Sequence, residues 1–262
     1  MTAMMLRETP IFLAPQEVPA TLGPCVVTLG VFDGVHRGHA HLIERATAAG
    51  RERGLPTMLV TFDPHPARVL GLPRDTSALS TVERRAALAG ELGVDAVCVL
   101  PFTTTFARLS PEDFVADILV GALRAAHVVV GDNFTFGHRG AGNTALLREL
   151  GERHGFTVHA QDLLPAEADV ACSSTYIRRC LREGDLTGAT RALGRPPHLE
   201  GDLGAAGAFA IEPGTALPAP GTYLVRLPNR RAARLILGRH GAHLHATGLA
   251  PGRIGIDVLA RA

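Results

Sequence analysis

Lysine is absent from this 262-residue chain, and all 26 of its basic residues are arginines. That absence excludes Schiff-base chemistry and any phosphate loop built around a lysine. Tryptophan is absent too, and only two tyrosines and ten phenylalanines occur, so every aromatic ring is informative. The four cysteines, Cys25, Cys98, Cys172 and Cys180, are widely spread and form no CxxC pair. Neither a zinc ribbon nor a vicinal redox pair is therefore expected. Reduced cysteines beside apolar segments act as small hydrophobes and point to a reducing cytoplasm. No apolar run reaches the roughly 18 residues of a membrane helix. The N-terminus lacks the basic-then-apolar pattern of a signal peptide, so no membrane partner is expected. The net charge of +1 argues against a protein that coats nucleic acid.

What is present is an alternation of Val/Leu-rich runs with stretches of helical period. Strands are expected over 26–32, 57–62, 95–100, 127–131 and 157–160, and helices over 39–53, 80–92, 110–123, 142–154, 173–183 and 185–193. Ser80 with Glu83 has the spacing of a capping box, and Ser110 with Pro111 that of an N-cap followed by proline. Segment 70–78 reads as a mobile loop. Continuous apolar strands alternating with helices predict an α/β fold, with a parallel sheet covered on both faces. The pattern stops at Pro196 and Pro197; beyond them, short β-like runs at 199–203, 221–227, 233–237 and 253–259 predict a small antiparallel unit. Residues 201–262 carry seven arginines against three acids, whereas residues 1–200 are net acidic.

Four segments carry chemistry. The first is 30–39 (GVFDGVHRGH), where the first expected strand gives way to a helix. Ligands of open parallel sheets collect at this end of the strands. Gly34 and Gly38 permit tight turns and close approach of a phosphate, and a helix N-terminus offers free N–H groups. His36 and His39, three apart, can address one phosphate chain. The second is 173–178 (SSTYIR), in which Ser173, Ser174 and Thr175 precede a helix bearing Arg178. One hydroxyl suffices for an N-cap; three with an arginine make an anion site. The third is 61–66 (TFDPHP), whose prolines hold an extended exit that carries Asp63 and His65. The fourth is 131–137 (GDNFTFG), where Phe134 and Phe136 offer faces to a planar ring, or pack in the core, and Asn133 offers an amide.

Together with the phrase 100–114 (LPFTTTFARLSPEDF), these segments resemble the prokaryotic bifunctional riboflavin kinase/FAD synthetase family. The match covers roughly residues 25–200, the family's FMN adenylyltransferase module with its HxGH motif. The resemblance implies a Rossmann-like nucleotidylyltransferase fold and transfer of AMP from ATP to FMN, giving FAD and pyrophosphate, with Mg²⁺ accompanying ATP. It implies that His36, His39 and Arg178 are catalytic, with His36 and His39 on the ATP phosphates. Gly30, Phe32, Asp33, Gly34, Gly38, Ser173, Ser174 and Thr175 fall to nucleotide binding. Asp63, His65, Asn133, Phe134 and Phe136 fall to the flavin pocket. No metal ligand is assigned. The chemistry fits independently: the FMN phosphate is already an anion, so positioning and charge stabilisation matter more than a strong base.

The C-terminal part departs from the family. Residues 199–204 (LEGDLG) and 218–226 (PAPGTYLVR) resemble two strands of the kinase barrel, but the family's Pro-Thr-Ala-Asn element is missing between them. Glu212 is the only glutamate beyond Gly201, and its setting differs from that of the family's catalytic glutamate. The expected division is residues 1–197 as the adenylyltransferase and 198–262 as a shortened barrel remnant without kinase activity, with too few residues for a full barrel plus its closing loops. Two other readings remain open at this point. One is nucleotidyl transfer to a modified flavin phosphate or another phosphorylated compound, and the other is a flavin-nucleotide binding protein without catalysis.

Overall fold

The computed structural model describes residues 9–162, 164, 172–239, 241–246 and 248–262. The chain divides into two compact units: residues 1–32, 38–76 and 82–164 make the first, and 33–37, 77–81 and 165–262 the second.

The first unit is built on a six-stranded sheet: β1 (Ile11–Phe12), β2 (Cys25–Leu29), β3 (Thr57–Asp63), β4 (Ala96–Pro101), β5 (Ala125–Gly131) and β6 (Thr157–Gln161). The spatial order is β1-β4-β3-β2-β5-β6, and every pairing is parallel. The central strands β2, β3 and β4 each bury five consecutive, mostly apolar residues because both faces are covered. Val27, Leu29, Val60, Leu100, Val128 and Val130 pack with Leu119, Leu123, Leu147 and Leu150 in one core cluster, while Val26 and Val129 meet Ala46 and Ala49 in another. The helices are α1 (Arg37–Arg53), α2 (Pro66–Val69), α3 (Val82–Glu91), α4 (Pro111–Asp113, continued as a wider helical run Phe114–Ala122) and α5 (Thr144–His154). This is the Rossmann-like architecture expected from the sequence. The direction of crossing reverses beside β2, whose neighbours are β3 and β5. Ligands of such sheets bind at that reversal, beyond the carboxyl ends of the strands.

Local signals met mixed fates. Ser110 caps α4, accepting from the Asp113 amide at 3.0 Å. The capping box at Ser80 does not form: α3 begins at Val82, and the Ser80 hydroxyl serves the Gly34 amide instead. Cys25 and Cys98 are fully buried, and burial pushes their thiols up to about 11 and about 12. Among the described residues no helix is long and apolar enough to cross a membrane.

The second unit joins α6 (Ser174–Glu183) and α7 (Leu186–Leu193) to six strands: β7 (His198–Leu203), β8 (Ala208–Ile211), β9 (Gly221–Arg226), β10 (Ala232–Gly238), β11 (Gly241–His245) and β12 (Gly252–Arg261). They close into an antiparallel barrel in the order β10-β11-β8-β7-β12-β9. The small antiparallel unit expected of this segment is thus a closed six-stranded barrel. Closure needs few residues because β10 and β11 stay paired up to Gly238 and Gly241, and β12 bridges β7 and β9. Tyr223, Val225, Leu235, Ile256 and Val258 fill the interior and are fully buried. Leu224 and Ile236 point outward. Strands β8 and β11 were not foreseen.

His127 of β5 is buried and hydrogen-bonded through Nδ1 to the Thr157 hydroxyl at 2.6 Å. Burial first, then the positive charge of Arg53, lowers its pKa from 6.5 to about 4. Below pH 6.5 the unfolded chain takes up a proton that folded His127 refuses, so this neutral histidine costs stability as pH falls from 6.5 towards 4. Calorimetry across that window is expected to show a falling Tm, with a shallower slope in His127→Gln. An unchanged slope in the variant would remove His127 as a cause.

Candidate active site

Loop 30–36 joins β2 to α1 and is backbone-strained. Phe32, Gly34 and Val35 have φ of 49°, 78° and 38°, and for a β-branched residue such as Val35 a positive φ is costly. Strain of this kind persists only where the surroundings fix it. Gly38, in contrast, lies within the first turn of α1 and has no positive φ.

In the second unit the fixing group is Asp33. Its carboxylate accepts from the Leu79 amide at 2.9 Å and the Ser80 amide at 3.1 Å, and pairs with Arg178 at 2.5 Å. Both side chains are almost wholly buried. Arg178 Nε donates to the Ser77 carbonyl at 2.6 Å. The guanidinium expected to reach phosphate oxygens is thus engaged with Asp33 and the backbone beneath the loop. Removing one partner of such a pair costs about 3–5 kcal/mol, because the other charge stays buried. The Gly34 amide donates to Ser80 Oγ at 3.0 Å. Arg195 donates to the carbonyls of Gly34 and Val35. A side chain at Gly34 would collide with Leu79.

The three hydroxyls of segment 173–175 divide their work. Ser173 caps α6, accepting from the Tyr176 amide at 3.2 Å. Ser174 donates to the Asp33 carbonyl at 3.1 Å. Thr175 is exposed at the first turn of α6. The structure therefore brings Asp33, Gly34, Ser174 and Arg178 together. It adds Ser77 and Arg195, which no local motif marked, and Ser80, which the sequence marked only as a helix cap.

His36 directly precedes α1 and is 6% exposed. Burial, then the charges of Arg195 and Arg178, lowers its pKa from 6.5 to about 4. The imidazole is therefore neutral at physiological pH and is a hydrogen-bonding group there, not a cation.

In the first unit, His39 is half-buried in the first turn of α1 and meets the Phe32 ring edge-on, with centroids 5.2 Å apart. Thr61 holds the loop's Val31 carbonyl at 2.8 Å and receives a hydrogen bond from buried Arg85 at 2.6 Å. Gly30 packs against the Phe32 ring. Asp63 is exposed at the end of β3, while His65 caps α2 by accepting from the Ala67 amide at 3.1 Å. Asn133 is exposed, Phe134 is half-buried and Phe136 is 6% exposed in the core. The Phe134 and Phe136 rings stack at 5.6 Å and 14°. They continue a chain of ring contacts through Phe114 and Phe106 to Phe102 and Phe62. Six of the ten phenylalanines therefore gather beside the ends of β3, β4 and β5. Among the described residues no group of three or more His, Cys, Asp or Glu is gathered as a metal site. Asp33, the carboxylate of the loop, is occupied by Arg178 and two amides.

Known proteins share this sequence and fold. The family profile described as FAD synthetase matches residues 18–176. A bifunctional riboflavin kinase/FMN adenylyltransferase of Escherichia coli (strain K12) is 36% identical over 188 residues, covering 72% of this chain and 58% of that protein. The protein of the same description from Listeria monocytogenes is 40% identical over 179 residues, covering 68% and 56% respectively. The chain thus spans little more than half the length of these relatives. A crystal structure described as a macrolide-efflux protein from Streptococcus pneumoniae shares the fold, with a TM-score of 0.80, 23% identity, and coverage of 97% of this chain and 91% of that one. With a profile match over more than half of its residues, the chain belongs to the FAD synthetase family.

Proposed function

We propose that this protein is an FMN adenylyltransferase, transferring AMP from ATP to FMN to give FAD and pyrophosphate. The observation that carries the reading is the strained His36 loop, locked by Asp33 and Arg178, inside the span that matches the FAD synthetase family. A phosphate oxygen of FMN attacks the α-phosphorus of ATP. The bond from that phosphorus to the β-bridging oxygen breaks, and its electron pair leaves with pyrophosphate. No proton need move, so the protein's task is orientation and stabilisation of negative charge.

The residues take the following roles in this reading. Neutral His36 and His39 donate to ATP phosphate oxygens, helped by the N-terminus of α1 and the close backbone approach at Gly30, Phe32, Gly34 and Gly38. Thr175 donates from the first turn of α6. Asp33, Arg178, Ser173 and Ser174 hold the loop and the helix start in place, so Arg178 acts as a positioning residue. Asp63, His65, Asn133, Phe134 and Phe136 serve the flavin, with the phenylalanine cluster as the apolar wall for its rings. Mg²⁺ enters as part of the ATP complex, because Asp33 is already engaged. The adenylyltransferase spans 1–197. The barrel, 198–262, has no kinase activity. The reaction is cytoplasmic and involves neither nucleic acid nor membrane.

Purified protein with Mg²⁺-ATP and FMN is expected to release pyrophosphate and form FAD, and His36→Ala to slow this by at least about 10²-fold. Undiminished turnover in that variant would remove His36 from the reaction. Riboflavin with ATP is expected to yield no FMN, because transfer to a neutral alcohol needs a base and a metal-bound γ-phosphate that residues 198–262 do not supply. FMN formation lost on removing the barrel would overturn this. In the ligand-free protein, NMR titration is expected to place the His36 midpoint near 4; a midpoint above 6 would contradict a neutral donor.

A further inference from the structure

Strip 77–81 belongs to the second unit and is hydrogen-bonded along both of its edges. Towards the nucleotide loop, the Ser77 carbonyl accepts from Arg178, the Leu79 and Ser80 amides donate to Asp33, and Ser80 Oγ accepts from Gly34. Towards the barrel, the Ala78 amide donates to the Gly214 carbonyl at 2.8 Å, and the Ala78 carbonyl accepts from the Ala216 amide at 2.8 Å. Thr81 Oγ1 donates to Glu200 Oε2 of β7 at 2.5 Å. Ser77 and Ala78, expected within a mobile loop, are therefore tied down.

We propose that the barrel is a positioning element for adenylyl transfer, and that Thr81 and Glu200 are the positioning residues that transmit it to the His36 loop. This rests on the adenylyltransferase reading above. The argument is one of freedom lost. Loop 33–36 has strained dihedrals and cannot hold them alone. Asp33 supplies the restraint, but Asp33 is itself fixed by two amides of the strip. The strip has no regular structure of its own, so its place is set by what it leans on. Ala78 contributes only backbone bonds, which any sequence could make. A side-chain tie from strip to barrel that fixes direction is the charge-assisted bond from Thr81 to Glu200. Glu200 is only partly exposed, with 22% of its side chain accessible, and its other oxygen, Oε1, lies 3.9 Å from His198 Nε2, so Thr81 is the hydroxyl donor that serves Oε2. A barrel without kinase chemistry thereby acquires a reason to be kept.

The test uses the full-length protein and two readouts. Thr81→Val keeps the shape and removes the donor, and Glu200→Leu removes the acceptor. Each is expected to lower kcat/KM for ATP about tenfold while KM for FMN stays within about twofold, since the loop and not the flavin wall is loosened. Thr81→Ser and Glu200→Gln, which keep donor and acceptor, are expected to restore the rate. The double variant Thr81→Val/Glu200→Leu is expected to be no slower than either single one, as for one shared interaction. Independently of activity, hydrogen exchange is expected to quicken at the amides of Gly34, Leu79 and Ser80 in Thr81→Val, while those of Tyr223, Val225 and Leu235 in the barrel stay protected. Unchanged exchange at Gly34, Leu79 and Ser80 in folded Thr81→Val and Glu200→Leu, or failure of Thr81→Ser to restore the rate, would overturn the proposal. Faster exchange with no FAD made by the unmodified protein would leave the mechanical link standing and defeat the adenylyltransferase reading instead.

Discussion

The buried pair between Asp33 and Arg178 is the constraint on which the arrangement of the second unit's loop, strip and helix start depends. A charge pair taken out of water gains little net stability, so its value lies in direction. Here the direction is toward a loop whose φ angles no isolated peptide would keep. Asp33 reads three positions at once: the guanidinium of α6 and the amides of Leu79 and Ser80. The loop, the strip and the first turns of α6 consequently share one set of coordinates. Hydroxyls that seemed redundant in the sequence have separate tasks, with Ser173 closing the helix and Ser174 holding the backbone of Asp33.

The same burial decides the electrostatic character of His36. Lodged near Arg195 and Arg178, a protonated imidazole would add a third positive charge in a place with little solvent, so the proton is refused. At physiological pH the side chain is therefore a neutral hydrogen-bonding group and not a charge that varies with pH. Donors that need no reorientation are most effective where charge appears only in the transition state.

The central strands of the sheet were legible because burial on both faces gives them nearly continuous apolar runs such as 26–29 and 128–130. β1 was not, since two residues, Ile11 and Phe12, carry no period. In the barrel, β9 announced itself by alternation, but β8 (AFAI) is only four residues long and β11 (GAHLH) carries a single large apolar side chain, so neither gives a clear period. At the site, His36, Asp33 and the SSTYIR segment could be picked out by residue type. The destination of Arg178 could not, because its partner lies 145 residues earlier and neither position carries a mark of the other. Ser80 failed for a related reason: a local cap and a remote amide compete for one hydroxyl, and the remote amide won. Phe134 and Phe136 were weighed between core and pocket, and Phe136 is core while its stacked neighbour remains partly open.

The closed barrel also bears on how much change its connecting segments can take. An open sheet that loses a catalytic loop is left with bare N–H and C=O groups at its margins, an invitation to pair with other chains. In a ring of six strands each margin is already taken by a neighbour, from β10 round to β9 and back. Segments between the strands can then be trimmed or rewritten without creating a sticky rim. A scaffold of this kind keeps its backbone groups paired while its loops and outer surface change.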